Sequence, residues 1–186
     1  MAAALHDRLV FDSARGAVLD GDRRYVLMRA DVLMGLFANL EGPAREAALD
    51  AFARSVHAHG AGSVRAYRDS AGIEALPAMM EAAAASLGWG RWRFDAAHLR
   101  DTAAPGLALT VDDSPFATAA PAGTLRACHA IAGMLQALGD ALWSRPAAAR
   151  ETECVASGAR ACRFVVEPRN DHLADSAEQP PAHRPT

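Results

Sequence analysis

Cys128, Cys154 and Cys162 are the three cysteines of this 186-residue chain, and Glu151 stands three residues before the second of them. Cys162 follows Cys154 by eight residues, with Gly158 midway between them. Soft thiolates at about 2.3 Å, completed by one carboxylate oxygen, satisfy the tetrahedral preference of zinc. Four anionic donors overcharge a divalent ion, and Arg150, Arg160 and Arg163 lie close enough in sequence to offset that charge. Two other readings stay open on spacing alone, because this is not a CxxC pair. The thiols could be buried and inert, as free cysteines often are. A Cys154–Cys162 disulfide is the third option, disfavoured in a reducing compartment.

Bringing these side chains together takes a hairpin and a helix. Strands over about 148–156 and 160–166, turning at Ser157-Gly158-Ala159, would set Cys154 opposite Cys162 with Cβ atoms about 5 Å apart. Phe164 and Val166 share the face of Cys162, which marks that face as the buried one. In a regular strand, residues 151 and 154 point to opposite faces; a bulge, or a strand that begins after Glu151, would bring both inward. Glu153 is the alternative ligand. Residues 124–142 read as a helix capped by Thr124, with Leu125, Cys128, Ala132, Leu135, Leu138 and Leu142 on one face. That face must pack on the sheet, which carries Cys128 toward the hairpin, while His129 faces another way.

The upstream sequence predicts a strand over 23–29 after the Asp20-Gly21-Asp22 turn. Asp31 is expected to cap a helix through Leu33, Leu36, Phe37 and Leu40, broken at Gly42-Pro43. A second helix runs from about 44 to 59, with Leu49, Phe52, Ala53 and Val56 as its stripe and Gly60 as its stop. Its last turn holds His57 and His59, which suit a helix end and carry no catalytic role. Residues 60–72 carry no clear pattern. A third helix starts near Pro77 and buries Met80, Ala83, Ala84 and Leu87. Strands follow at 89–94, with Trp92 and Phe94 on one face, and at 107–111. Asp112-Asp113-Ser114-Pro115 ends the latter, with Asp112 and Asp113 read as a solvated turn. Runs of helices and hairpins, rather than strict alternation, place the chain in the α+β class with an antiparallel sheet.

Composition excludes several functions. Hydrophobic residues make up 51% and charged residues 22%, and the net charge is −3, with no basic stripe that would track nucleic acid. No apolar run reaches the ~20 residues that span a bilayer. The N-terminus lacks a signal core and reaches charge by Asp7. An odd cysteine count argues against a secreted disulfide framework. Together these predict a cytoplasmic protein with one domain over 1–167 and a proline-rich, disordered tail over 168–186. No nucleotide-binding fingerprint is present for a hydride donor.

Cys128-His-Ala-Ile-Ala-Gly-Met-Leu, with Glu151-x-x-Cys154-Val-Ala-Ser-Gly158-x-x-x-Cys162-Arg-Phe164, resembles the C-terminal signature of the 4-vinyl reductase (4VR) domain family. Tyr25-Val-Leu-Met-Arg-x-Asp-Val-Leu-Met-Gly resembles the family's opening strand and helix. The family holds a bacteriochlorophyll-synthesis protein, archaeal hydrocarbon-binding proteins and the sensor domains of phenol- and toluene-responsive activators. The resemblance implies an antiparallel four-stranded sheet packed with helices, shared with trafficking-complex subunits. It implies a homodimer with a closed apolar pocket. It also implies structural Zn2+ on Cys128, Glu151, Cys154 and Cys162. Phenol sensors hold the ligand hydroxyl with a histidine and a tryptophan. At the place of that tryptophan this chain has Val111, and His98 could stand in for the histidine if its strand stays regular. Those sensors carry further ATPase and DNA-binding modules, so a separate regulatory partner is expected to receive the signal.

The side chains that could line such a pocket are Trp92, Phe94, His98, Val111, Phe116 and Met80, with Trp89, Met79 and Tyr67 beside them; ordinary core packing explains the same residues equally well. Four functions follow in order. The first is a non-enzymatic domain that binds or senses a small hydrophobic or aromatic molecule. An accessory protein of tetrapyrrole vinyl reduction comes second, then a redox-sensing thiol protein, then an interaction module with a filled core.

Overall fold

The computed structural model describes residues 5–169. The tail expected over 168–186 lies outside the described residues from 170 onward, and Pro168 still belongs to the last strand. A short helix α1 (Leu5–Arg8) leads into a three-stranded meander, β1 (Val10–Asp12), β2 (Ala17–Asp20) and β3 (Arg23–Tyr25). The strand expected over 23–29 therefore ends early. The β2–β3 ladder stops at the Val18–Tyr25 pair, so Val26, Leu27 and Met28 have no ladder and stay 57–78% exposed.

Helix α2 (Ala30–Ala38) starts at Arg29 as cap, and Asp31 sits inside the first turn, ion-paired with Arg29, rather than capping. Met34 and Phe37 face inward, whereas Leu36 is exposed. The break expected at Gly42-Pro43 is present: α2 ends before it, and the next helix opens on it. Proline lacks the N–H that a first turn leaves unpaired anyway, and α3 (Gly42–Ala71) runs for 30 residues. Gly60 is not its stop. A Cβ there would come within 2.8 Å of the Met134 side chain, so the glycine marks a close approach between helices. His57 and His59 consequently lie in mid-helix. The helix α4 (Leu76–Ser86) has Pro77 in its first turn, as expected.

The main sheet comprises β4 (Arg91–Asp95), β5 (Leu107–Asp112), β6 (Ala147–Glu153) and β7 (Cys162–Pro168), in the order β4-β5-β7-β6 and antiparallel throughout. Trp92 is buried on β4 while Arg91 and Arg93 are exposed, as the alternation requires. The α+β class and the four-stranded antiparallel sheet are both borne out. A one-turn helix α5 (Pro115–Thr118), capped by Ser114, follows Asp112 and Asp113.

Helix α6 (His129–Trp143) is the hub. It begins later than the sequence pattern suggests, because Thr124 gives its hydroxyl to Pro121 O (2.7 Å) instead of capping. Gly123 N–H meanwhile ties the segment to Ala156 O at 2.8 Å. Ile131, Leu135 and Leu138 are fully buried, each contributing roughly 1.5–3 kcal/mol of apolar burial. Two glycines let α6 approach both neighbours. A Cβ at Gly133 would stand 2.1 Å from Ala53 O on α3, and one at Gly139 would stand 2.5 Å from Ala147 Cβ on β6. Asp140 completes the clamp: one oxygen accepts Ala147 N–H at 2.7 Å and the other meets His57 Nε2 at 2.7 Å.

Candidate metal centre and ligand cavity

Cys128 is the residue just before α6, and its backbone (φ −96°, ψ 41°) is not helical. The helical-face position expected for it is thus replaced by a cap position, where the thiol still reaches the sheet. Cys162 opens β7, and Cys154 follows β6 at the entry to a 3-10 turn, Val155–Ser157. Ladder registry shifts between Glu151 and Glu153. This bulge is the device that brings Glu151 to the same side as the thiols. Glu151 pairs with inward-facing Phe164, whereas Glu153 pairs with Arg163 and forms an exposed 3.2 Å ion pair with it. The geometry thus favours Glu151 over Glu153.

The donor atoms of Cys128, Glu151, Cys154 and Cys162 all lie within 4.8 Å of one another. All four residues are buried, at 0%, 4%, 1% and 0% exposure respectively. Such a set could hold a metal ion. The sulfurs of Cys128 and Cys162 are 3.6 Å apart. Glu151 Oε2 accepts the Cys128 N–H at 3.1 Å, but Oε1 is buried without a hydrogen-bond partner. A carboxylate oxygen left alone in the interior costs a desolvation penalty, and a cation among the four donors would remove it.

The electrostatics of the ion-free cluster point the same way. Contacts from the Cys128 and Cys162 thiols hold Cys154 well below an ordinary thiol. Cys128 is pushed far up by its contacts with Cys154 and Cys162 and by burial. Cys162 is pushed up to about 12: its contact with Cys128 lowers it, but Cys154 and burial outweigh that effect. Burial, then the neighbouring Cys154, raises Glu151 to about 8. Four potential anions in one dry space share little negative charge among themselves unless a cation joins them.

Two polar neighbours support the cluster. Val155 N–H donates to Cys162 Sγ at 3.4 Å. Ser114 is fully buried, and its Oγ stands 3.2 Å from Cys128 Sγ while accepting Ala117 N–H at 3.4 Å. The sequence pattern hides Ser114, because its role depends on α5 folding back against the segment before α6. Arg163 is engaged with Glu153 on the outer face and not with the cluster. His129 points away, to Asp50 at 3.3 Å.

A separate cavity of about 510 Å³ opens among α2, α3, α4, α6 and the β3 segment. Its apolar walls include Trp89, Trp92, Met80, Val64, Met134 and Leu33, and its polar groups include His59, Ser63 and Tyr67. Of the six pocket candidates read from sequence, Trp92 and Met80 line it. The other four do not. Val111 is core, paired with Trp92 and Cys162 across the sheet. Phe116 packs edge-on against Trp89 (5.2 Å) and Phe94 edge-on against Trp92 (6.0 Å), both behind the wall. His98 falls on a turn, because β4 ends at Asp95, and its side chain is 75% exposed near Asp101. His59 reads in the sequence as a helix-end residue without a catalytic role, and it is mid-helix on the cavity wall instead. Met134 escapes notice because it is off the stripe that defines α6.

Residues 107–168 match the family model of the V-4-R domain, the 4-vinyl reductase (4VR) domain. Among solved structures, the phenol-responsive sensory domain of the transcription activator PoxR, with phenol, superposes with a TM-score of 0.72 at 21% identity, covering 88% of this chain and 86% of that one. A vinyl-4-reductase family protein from Methanocaldococcus jannaschii gives a TM-score of 0.51 at 14% identity, covering 80% and 85%. No curated protein sequence matches significantly. At these identities the two structures establish a shared fold. No helix among the described residues is long and apolar enough to cross a membrane. The family resemblance read from Cys128, Glu151, Cys154, Cys162 and their neighbours is therefore borne out, with residues 107–168 matching the 4VR domain.

Proposed function

We propose that this chain is a non-enzymatic, small-molecule-sensing domain that binds a hydrophobic or aromatic ligand and is held together by a structural zinc ion. The observation that carries the reading is the cavity of about 510 Å³ walled by Trp89, Trp92, Met80 and Met134. That size and lining suit a small organic ligand. The fold shared with a phenol-responsive sensory domain supports the same class of ligand and an output through a regulatory partner.

Zinc is supported by the donor set. Thiolates about 2.3 Å from a tetrahedral ion lie about 3.8 Å from one another, and the Cys128–Cys162 sulfur separation is 3.6 Å. Cys128, Glu151, Cys154 and Cys162 would supply all four ligands. When bound, the ion supplies cross-linking and charge compensation; four protein donors leave no open position for a reacting water. A homodimer fits the apolar exposure of Val26, Leu27, Met28, Val32 and Leu36 on the N-terminal elements. A cytoplasmic location goes with thiolate ligation, which a reducing compartment preserves.

Mass spectrometry of tag-free protein beside the Cys154→Ser variant tests the metal, and quenching of tryptophan fluorescence by phenol and alkylbenzenes tests the cavity. About one zinc per chain, lost together with thermal stability in the variant, is the expected result. Metal-free, fully stable wild-type protein would remove the zinc, and silence toward every aromatic would remove the sensor.

A further inference from the structure

The polar side of the cavity carries Arg23 and Arg24, while Asp20 and Asp22 lie in the neighbouring recess that Arg23, Ser63 and Tyr67 also line. His59, Ser63 and Tyr67 are spaced four residues apart on α3, so they form one stripe along a single helix face, and all three line the cavity. Arg23, from β3, reaches the centre of this stripe and donates from Nη1 to Ser63 Oγ at 3.2 Å. No Asp or Glu lines the cavity. Among the described residues Arg23 forms no ion pair; Asp20, its partner across the β2–β3 ladder, is instead bound by Arg8 at 2.9 Å. By contrast Arg91, Arg93 and Arg163 all hold carboxylates. Facing the stripe are Trp89, Trp92, Met80 and Met134.

We propose that the cavity takes an amphipathic monocarboxylate, its aromatic or aliphatic body against Trp89, Trp92, Met80 and Met134 and its carboxylate on Arg23 and the Ser63 hydroxyl, flanked by His59 and Tyr67. The inference rests on reading the cavity as a ligand site and names the chemistry of its occupant. A guanidinium presents a planar fork of donors that matches a carboxylate and has no match in a neutral hydrocarbon. Ser63 already accepts from Arg23, so its own proton is free for a carboxylate oxygen.

Calorimetric titration of the full chain with 4-ethylbenzoate and its neutral isostere 4-ethylbenzamide tests this. The benzoate should bind roughly tenfold or more tightly than the amide. Arg23→Gln should erase the preference by weakening benzoate binding, with the thermal midpoint unchanged, since Arg23 is exposed. Arg65→Gln removes the same charge from an exposed α3 residue that does not line the cavity, and should keep the preference. Equal binding of the two compounds, or a preference that survives Arg23→Gln or vanishes equally in Arg65→Gln, would overturn the carboxylate assignment and leave the ligand site standing. Failure of both compounds, and of phenol and ethylbenzene alongside, would overturn the ligand site itself.

Discussion

Replacing Glu151 with glutamine separates its two jobs. Its Oε2 accepts the Cys128 N–H at 3.1 Å, and a glutamine oxygen can do the same. The fold around Cys128 should therefore survive, and only the anion is lost. Structural zinc sites release about 10–16 kcal/mol through four ligands. An equal share is about 3 kcal/mol, roughly a hundredfold in affinity. Competition with a chromophoric chelator should show that weakening in Glu151→Gln. Glu153→Gln should be silent, because Glu153 lies outside, paired with Arg163. In chelator the order reverses with pH. Without an ion, burial raises Glu151 from its ordinary 4.5 to about 8. A carboxyl whose folded pKa lies above its unfolded one stabilises the fold at low pH and loses that contribution as pH rises through the window between them. Metal-free wild type should therefore lose stability relative to Glu151→Gln between about pH 4.5 and 8, while metal-loaded wild type stays the more stable of the two. Wild-type metal affinity in Glu151→Gln, with loss in Glu153→Gln, would refute the assignment outright.

Gly133→Ala should cost about 1–3 kcal/mol in urea unfolding, because its Cβ would meet the α3 backbone at 2.1 Å where ordinary contact begins at 3.4 Å. Asp140→Ala orphans the Ala147 N–H and should cost about 1–3 kcal/mol; Asp140→Asn, which keeps an acceptor for that N–H, should cost less in the same denaturation assay. Ala83→Phe pushes a ring into the cavity from its partly exposed wall. It should abolish quenching of tryptophan fluorescence by aromatic ligands while metal content, read by mass spectrometry, stays at the wild-type level.

Local chemistry was legible in the sequence wherever it depended on neighbours in the chain. The spacing of Glu151, Cys154 and Cys162 carried the metal cluster, and even the bulge could be foreseen from the parity conflict between residues 151 and 154. Strand alternation correctly placed Trp92 inside and Arg91 and Arg93 outside. What failed depended on contacts distant in sequence. Gly60 reads as a helix stop, yet Met134, 74 residues on, fills the space that a side chain would need. Once α3 was cut at Gly60, Ser63 could not be placed on the face that lines the cavity, and Tyr67 could be offered only as an aromatic of unknown placement. Ser114 stayed hidden because nothing local announces its contact with Cys128.

The two sites share α6, and that sharing constrains how the cavity can respond to a ligand. Cys128 anchors the start of the helix in the Cys/Glu cluster, and Met134, six residues on and about 9 Å along the axis, forms part of the cavity wall. Between and beyond them the helix has little freedom. Gly133 lies against the α3 backbone, Gly139 against Ala147, and Asp140 holds both Ala147 and His57. A close-packed element answers strain by moving as a body or not at all, and moving α6 would break every one of these contacts together. The β3 extension is different. Val26, Leu27 and Met28 line the cavity without a strand partner and with more than half of each side chain exposed. Segments with few buried contacts and no ladder open at the lowest cost. Adjustment to an occupant therefore falls on the 26–28 wall, while the Cys/Glu cluster and the glycine and Asp140 contacts keep α6, and with it the shape of the cavity floor, where the fold set it.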